Sequence, residues 1–159
     1  PGVRVDGAAN IILGDHTIVQ RYSWLGAMPL SGENDCILEI GDGTVVGNFN
    51  HIYATKRIMI GKNVLFADRV YVSDCAHNYE DVKTPIIKQS IKQLNEVVIG
   101  DGAWLGENVC VIGCKIGKNS VIGANSVVTS DIPDYCVAVG SPARVIKKFN
   151  SQSLNWERV

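Results

Sequence analysis

Three histidines are the side chains in this sequence best suited to exchange a proton near neutral pH, where imidazole titrates. They are His16, His51 and His77. His77 lies in a polar run, residues 73–85, whose charges and proline argue against a buried strand. Such a histidine is either an ordinary solvated side chain or a general base that takes a proton from a substrate hydroxyl. Asp74, three residues earlier, either orients the imidazole or caps the loop.

The spacing of potential metal ligands does not favour a metal site. The histidines are 35 and 26 residues apart, and Cys110 and Cys114 belong to no Cys-x-x-Cys pair. The five cysteines are an odd, scattered set, which indicates a reducing, cytoplasmic compartment rather than a disulfide framework. We therefore expect small buried thiols and no bound metal.

Composition indicates which elements must hold these side chains. The 159 residues amount to one domain and can form a sizeable hydrophobic core. Val (20) and Ile (17) outnumber Leu (8), which favours strands because branched side chains suit a pleated surface. The 16 glycines would weaken ordinary strands and need another explanation. With 15 basic and 16 acidic residues the chain has no electrostatic footprint for nucleic acid, and no apolar run could span a membrane.

A six-residue repeat runs through most of the chain and explains the glycines. Large apolar side chains recur at six-residue intervals in four triplets, and small residues follow most of them. The twelve positions are Ile40, Val46, Ile52, Ile60, Phe66, Val72, Ile99, Leu105, Val111, Ile116, Ile122 and Val128. A period of six is typical of a parallel β-helix in which three short strands close each coil. We predict an all-β solenoid with these side chains inside and the small residues at its corners.

Interruptions of the repeat predict where the chain leaves the solenoid. Between Val72 and Ile99 the six-residue step is replaced by one of 27 residues. Long loops in compact domains are usually functional or disordered, so the protruding loop expected at about residues 73–98 is the first place to look for a site. Residues 21–36 form a second, less regular excursion.

The C-terminal segment predicts a short helix. Ser141 is a suitable N-cap and Pro142 a suitable first helical residue, and Arg144 and Lys147 would then share one helix face. Such a helix would cover the open end of the solenoid. The expected organisation is a single domain with three parts: a weakly repetitive segment at 1–36, the β-helix at 37–139, and the helix and tail at 140–159.

Several motifs resemble the hexapeptide-repeat acyltransferase family over about residues 37–148. The coil and loop at 60–77 are similar to those of maltose and galactoside O-acetyltransferases. Gly-Ala-Trp-Leu-Gly at 102–106, the run at 121–129 and Gly-Ser-Pro-Ala-Arg-Val-Ile-Lys at 140–147 resemble the family's acetyl-CoA-binding end. The loop motif Ser-Asp-x-x-His-x-Tyr-x-Asp and the tail Asn155–Arg158 resemble the O-acetyltransferases of bacterial surface-polysaccharide synthesis.

The resemblance implies a left-handed parallel β-helix that works as a homotrimer. It also implies an acetyl-CoA-dependent O-acetyltransferase that modifies a hydroxyl of a sugar or glycan precursor by direct transfer. The implied catalytic residues are His77, as the general base, and Asp74. Acetyl-CoA would contact Trp104, Gly106, Ala124, Thr129, Arg144 and Lys147. The acceptor-binding asparagine of the sugar O-acetyltransferases falls at Gly47 here, so Asn48 or Asn50 would contact the acceptor in its place, together with Tyr79.

Three alternatives remain open from the sequence. An N-acetyltransferase of an amino or nucleotide sugar would use the same base with an amine as nucleophile. A structural solenoid without catalysis would keep the repeat and lose the site. A carbonic anhydrase of the γ class shares the fold, but its zinc needs two histidines five residues apart, which this chain lacks.

Overall fold

The structure, a computed structural model, describes residues 2–32 and 35–159 of the chain. Within these ranges the chain forms short strands and two single-turn 3₁₀ helices, Ala8–Asn10 and Ile86–Lys88. In chain order the strands are β1 (Arg4–Asp6), β2 (Ile11–Leu13), β3 (Ile18–Val19), β4 (Trp24–Ala27), β5 (Ile37–Ile40), β6 (Val45–Val46), β7 (His51–Ala54), β8 (Arg57–Ile60), β9 (Leu65–Phe66), β10 (Tyr71–Ser73), β11 (Cys75–His77), β12 (Ile91–Gln93), β13 (Val97–Ile99), β14 (Trp104–Leu105), β15 (Cys110–Ile112), β16 (Lys115–Ile116), β17 (Val121–Ile122), β18 (Val127–Val128), β19 (Cys136–Gly140), β20 (Ala143–Asn150) and β21 (Asn155–Arg158).

Three sheets form the sides of a three-sided solenoid. Sheet A has the order β1-β4-β7-β10-β15-β18, and sheet B has the order β2-β5-β8-β13-β16. Sheet C runs β3-β6-β9-β14-β17-β19 and then continues into β20 and β21. Up to β19 the strands of each sheet pair in parallel with the strand one coil away. The predicted all-β parallel β-helix is confirmed.

All twelve residues of the predicted repeat are buried, none more than 3% exposed. In the interior they form three ladders, which are Ile40-Ile60-Ile99-Ile116 in sheet B, Val46-Phe66-Leu105-Ile122 in sheet C and Ile52-Val72-Val111-Val128 in sheet A. Burying each such side chain contributes about 1.5–3 kcal/mol, so the ladders are the main source of stability.

Glycines stand at the corners because the backbones of successive coils approach closely there. A Cβ atom on Gly41 would lie 2.7 Å from the carbonyl carbon of Gly61, and one on Gly100 would lie 2.7 Å from the amide nitrogen of Lys118. Any side chain at either position would push the coils apart. The glycines therefore mark corners, as the repeat predicts.

The large interruption of the repeat is a hairpin inserted between two coils. Strands β11 and β12 pair antiparallel, with His77 opposite Ile91, and the connection between them contains the second 3₁₀ helix. The predicted bounds of the loop are slightly too wide. Ser73 still pairs with Tyr53 in sheet A, and Val97 already pairs with Ile58 in sheet B, so the protruding part comprises residues 74–96.

The N-terminal segment already contributes strands to all three sheets. Strands β1, β2 and β3 pair with β4, β5 and β6, respectively. Trp24 lies in β4, so the predicted excursion at 21–36 shrinks to residues 28–36, of which 33 and 34 lie outside the described residues. Among the helices of the described residues, none is long and apolar enough to cross a membrane.

The predicted C-terminal helix is wrong, because residues 143–150 form strand β20. Gly140, at a φ of 101°, and a cis Ser141–Pro142 peptide bond turn the chain back onto β19. The open edge of β19 offers unpaired backbone groups, and a second strand satisfies them where a short helix would not. Strand β21 then pairs with β20, so sheet C ends in an antiparallel hairpin, called here the C-terminal hairpin (residues 143–158).

Arg144 and Lys147 nevertheless share a side of the structure, for a different reason from the predicted one. They stand opposite Val139 and Val137 of β19, which are two residues apart and thus on the same face of the strand. A bulge at Ile146 makes this possible, since in a regular strand two positions three residues apart face opposite ways.

Candidate active site

His77 lies at the end of β11 and is exposed. Strands β11 and β12 and their connection, residues 75–93, form the inserted hairpin, which is called here the His77 hairpin. The base of this hairpin is fixed to the solenoid by Gln93 and Leu94. The Gln93 side-chain amide donates to the Asp74 carbonyl at 2.7 Å, and the Leu94 backbone N–H donates to the same oxygen at 2.9 Å. The pairing with β12 thus holds the imidazole at a defined distance from sheet A.

Asp74 caps a corner of the solenoid rather than orienting His77. Its buried carboxylate accepts hydrogen bonds from the backbone N–H groups of Thr55, Lys56 and Arg57 at 2.7–2.8 Å, and from the Thr55 hydroxyl at 3.0 Å. Among the described residues, none of its hydrogen bonds reaches His77. The predicted orienting role is therefore not supported, and the carboxylate caps a corner of the preceding coil rather than its own loop.

A cleft of about 280 Å³ opens beside His77 between the hairpin and the outer surface of sheet A. Its lining is mainly apolar and aromatic and consists of Trp24, Leu30, His51, Tyr53, Thr55, Tyr71, Ser73, Cys75, Ala76, His77 and Ile91. We call it the aromatic cleft. The sheet supplies its floor, and the His77 hairpin supplies one wall.

The floor of the aromatic cleft is a stack of rings from successive coils. Trp24 and His51 stack with centroids 4.2 Å apart, and Tyr71 meets the His51 ring edge-on at 5.2 Å. The Arg4 guanidinium covers the other side of Trp24 at 4.1 Å, and the Trp24 indole N–H donates to Asp6 at 2.9 Å. Contacts on both faces fix the rings, so the floor is rigid.

His51 is a neutral member of this floor. Burial lowers its pKa below the ordinary value, and the positive charge of Arg4 lowers the pKa further. Its Nε2 atom is buried and has no hydrogen-bond partner in the described part of the chain. The imidazole is therefore uncharged at neutral pH, and His77 is the histidine of the cleft that is exposed for proton transfer.

The aromatic floor was missed from the sequence, although a signal for it was present. Trp24, His51 and Tyr71 each directly precede an inward aliphatic residue, and the position before an inward residue faces outward on a strand. Aromatic side chains at three such positions, one coil apart, stack into one surface.

The predicted acceptor residues lie in different settings. Asn50 is buried, and its amide accepts from Val70 N–H at 2.6 Å and donates to the Ala67 carbonyl at 3.0 Å, so it supports a corner. Asn48 lies at the same corner and donates to Gln20 at 2.7 Å. Tyr79, 68% exposed, lies in the connection of the His77 hairpin.

The predicted cofactor residues lie mainly on sheet C and its corner. Trp104, 48% exposed, stands opposite Val121, and Val121 in turn stands opposite Val137. Gly106 and Ala124 meet at a corner, where a Cβ atom on Gly106 would lie 2.7 Å from the Ala124 nitrogen. Thr129 is exposed after the last strand of sheet A. One copy of the chain thus places Trp104 and the aromatic cleft on different sides of the solenoid.

Two further observations limit the chemistry. Within the described residues, no group of three His, Cys, Asp or Glu side chains is arranged to hold a metal ion. Burial raises the pKa of the Cys36 and Cys114 thiols to about 11, so both are protonated at neutral pH and are poor nucleophiles.

Comparison with known proteins places the chain among acyltransferases. A family model described as the hexapeptide repeat of succinyl-transferase matches residues 96–130. The putative lipopolysaccharide biosynthesis O-acetyl transferase WbbJ of Escherichia coli K12 is 36% identical over 129 residues, which cover 77% of this chain and 66% of WbbJ. The chain spans between 45% and 66% of the length of three curated relatives that it matches.

Solved structures agree with this placement. A maltose O-acetyltransferase from Clostridium difficile 630 is 30% identical, with a TM-score of 0.64 over 94% of this chain and 65% of that one. AntD, an N-acyltransferase from Bacillus cereus solved with dTDP and 3-hydroxybutyryl-CoA, has a TM-score of 0.79 over 95% of this chain and 79% of its own. At 16% identity AntD shows the fold alone, and the expected left-handed parallel β-helix is confirmed. In its repeat, its fold and these relatives, the chain is similar to the hexapeptide-repeat acyltransferases.

Proposed function

We propose that this chain is an acetyl-CoA-dependent O-acetyltransferase that acts on a hydroxyl of a sugar or glycan precursor in polysaccharide synthesis. The observation that carries the proposal is the placement of His77 at the rim of the rigid aromatic cleft. Aromatic rings bind the apolar C–H face of a sugar ring, and the hydroxyls at its edge then point towards the cleft wall. His77 lies in that wall, where a general base is needed.

The proposed reaction needs no covalent enzyme intermediate. The acceptor hydroxyl attacks the thioester carbonyl carbon while His77 takes the hydroxyl proton, which typically contributes about 10²–10⁴-fold to the rate. Backbone N–H groups of a neighbouring coil stabilise the oxyanion. The tetrahedral intermediate then collapses, the C–S bond breaks, and the imidazolium returns its proton to the departing thiolate of coenzyme A.

The proposal includes assembly as a homotrimer. A single copy holds its aromatic cleft beside sheet A and its cofactor residues on sheet C, so donor and acceptor cannot meet within one chain. Cyclic association brings sheet C of one copy beside the His77 hairpin of the next, and each interface then forms one complete site. The expected homotrimer has about three times the mass of the 17.2 kDa chain.

The compartment proposed for the reaction is the cytoplasm. All five cysteines are free thiols, and Cys114 and Cys136 are buried within the solenoid. Such thiols persist in a reducing environment, where acetyl-CoA is also available.

N-acetylation of an amino sugar is the second candidate, because AntD, which has the same fold, is an N-acyltransferase, so the fold accommodates this reaction as well. His77 would take the proton of the attacking amine in the same geometry. An acceptor screen that includes matched hydroxyl and amino sugars decides between the two reactions.

The test is release of free coenzyme A thiol from acetyl-CoA across sugars, nucleotide-sugars and oligosaccharides, followed by mass spectrometry of the product. We expect His77→Asn to lose at least a hundredfold in kcat. His16→Asn is the matched control, because His16 is exposed and its φ of 58° is one that asparagine adopts readily. Equal turnover by His77→Asn and the unmodified protein would remove His77 from the mechanism.

A monomer in light scattering would contradict the shared site, and thiol release with none of the acceptors would favour a structural solenoid.

A further inference from the structure

We propose that Gln93 is a positioning residue that joins two segments lining the aromatic cleft. Its side chain ties the base of the His77 hairpin to residues 28–32, whose Leu30 also lines the cleft. In this role Gln93 acts through the placement of His77 and Leu30 and not by contact with the reacting atoms. The catalytic consequence rests on the proposed function, whereas the connection between the two segments does not.

The carboxamide of Gln93 uses both of its polar atoms twice. Its Nε2 atom donates to the carbonyl oxygens of Asp74 at 2.7 Å and Leu94 at 3.2 Å. Its Oε1 atom lies within hydrogen-bond distance of two hydroxyls, that of Ser31 at 2.5 Å and that of Thr55 at 2.9 Å. Because carbonyl oxygens only accept and hydroxyls can donate, these partners fix which way the amide points. A side chain held on both sides in this manner is a rigid connection.

The four partners of Gln93 come from separate parts of the chain. Asp74 and Leu94 are the two ends of the insertion, and Thr55 lies at the corner between β7 and β8 and lines the aromatic cleft. Ser31 follows β4, and its contact with Gln93 joins positions 62 residues apart in the sequence. Gln93 is therefore the point at which the hairpin, the solenoid and the N-terminal segment meet.

Residues 29–32 have few other contacts that hold them in place. The segment leaves sheet A after Met28, whose N–H donates to the Ala54 carbonyl at 3.0 Å. In the described part of the chain, the Ser31 hydroxyl makes the one hydrogen bond by which residues 29–32 reach another segment. Leu30 is 52% exposed, so packing alone holds it weakly. The place of Leu30 beside the cleft thus depends on the Ser31–Gln93 bond.

The distance between the two lining segments matters because proton transfer is sensitive to geometry. A general base has to lie within hydrogen-bond reach of the proton that it takes, and a displacement of about 1 Å can cost a hundredfold in rate. His77 is exposed, so the base of its hairpin, rather than packing around its ring, sets its position. Without the Ser31–Gln93 bond the two segments can separate, and an acceptor between them binds more weakly and is aligned less often with the imidazole.

The first test is Ser31→Ala, which removes the bond and keeps the contacts of Gln93 with Asp74 and Leu94. One hydrogen bond corresponds to about two- to tenfold in an equilibrium, so we expect the acceptor KM to rise by that factor while KM for acetyl-CoA stays unchanged. A loss of folded protein would instead lower kcat and leave both KM values as they are. Ser31→Thr keeps the hydroxyl and should restore the acceptor KM. Ser151→Ala, the same change at an exposed serine of the C-terminal hairpin, is the matched control.

The second test is Gln93→Leu, alone and combined with Ser31→Ala. Leucine loses all four hydrogen bonds and should lower kcat about tenfold or more, because the hairpin that carries the base is held less firmly. The double variant should be no worse than Gln93→Leu alone, since the Ser31 hydroxyl has then already lost its partner. Two losses that multiply would show that the residues act separately and would overturn the inference. Gln152→Leu, at an exposed glutamine, is the control.

Limited cleavage by chymotrypsin after Leu30, measured without substrates, separates this inference from the proposed function. Gln93→Leu should speed this cleavage about two- to tenfold, because the released segment is open for a larger fraction of the time. If no acceptor is acetylated but Gln93→Leu speeds the cleavage, the connection stands without the transferase. If acetylation proceeds, Ser31→Ala keeps the unmodified acceptor KM and Gln93→Leu keeps the unmodified cleavage rate, the inference is wrong and the transferase stands.

Discussion

Replacement of Asp74 distinguishes a structural carboxylate from a catalytic one. The carboxylate is fully buried and accepts three backbone N–H groups, from Thr55, Lys56 and Arg57, at the corner between β7 and β8. In Asp74→Ala these donors have no acceptor, because the corner geometry gives them none in the backbone. The variant should therefore be destabilised without any direct effect on the proton chemistry of His77.

The magnitude follows from the number of stranded donors. A buried N–H group left without an acceptor costs about 1–3 kcal/mol, and the donors of Lys56 and Arg57 are only partly buried, so water recovers some of the loss. Three donors then amount to about 3–6 kcal/mol in the free energy of unfolding, a large change for a single substitution. Asp74→Asn keeps the shape and one acceptor oxygen, and we expect roughly half that loss.

Guanidinium unfolding, followed by tryptophan fluorescence, measures the change in the free energy of unfolding. Asp15→Ala is the control, since this carboxylate is exposed and accepts no hydrogen bond from the described residues, and its unfolding midpoint should equal that of the unmodified protein. Turnover per folded molecule should be retained in Asp74→Asn at low temperature. If Asp74→Asn unfolds at the unmodified midpoint but loses activity with a shifted pH profile, Asp74 acts through His77 and its role is not structural.

Three further substitutions test the corners and the aromatic floor. Gly26→Ala places a Cβ atom 2.3 Å from the Tyr53 ring and should cost about 1–3 kcal/mol in urea unfolding, with Tyr53→Leu recovering part of it. Asn50→Ala should cost about 2–3 kcal/mol without a selective rise in the acceptor KM, because the amide is occupied by corner hydrogen bonds. The unfolded chain binds the His51 proton more readily than the folded protein, so the free energy of unfolding should fall as pH drops below the ordinary pKa of 6.5. His51→Phe should flatten this pH dependence, and an unchanged acid slope would contradict it.

The solenoid could be predicted from the sequence because its order is local and repetitive. Each inward residue, such as Ile60, is specified by its own six-residue unit and by neighbours one coil away. The same periodicity located the insertion that holds His77. The six-residue period does not predict the strand pairing inside the insertion, because that pairing depends on contacts such as that of Gln93 with Asp74, nineteen residues apart.

The prediction of a C-terminal helix is wrong because a local sequence signal competed with a non-local one. Ser141 and Pro142 are favourable at a helix start, but the unpaired edge of β19 exists only once the solenoid has formed. Likewise, the four groups that donate hydrogen bonds to Asp74 belong to residues 17 to 19 positions before it. Neither its capping role nor the stacked floor under His77 can therefore be recognised in a short stretch of sequence. Site residues on regular coils were easier to place than those that join separate segments.

The insertion of the His77 hairpin has a consequence for how such proteins diversify. Strand β13 stacks directly on β8, as though the intervening segment were absent, and the two ends of that segment meet where Leu94 N–H donates to the Asp74 carbonyl. The hairpin is thus an exchangeable cassette with closed ends, and a segment of another length and sequence can replace it without breaking the core ladders. Grafting the cassette of a relative between Asp74 and Gln93 would transplant one wall of the acceptor cleft onto an unaltered solenoid.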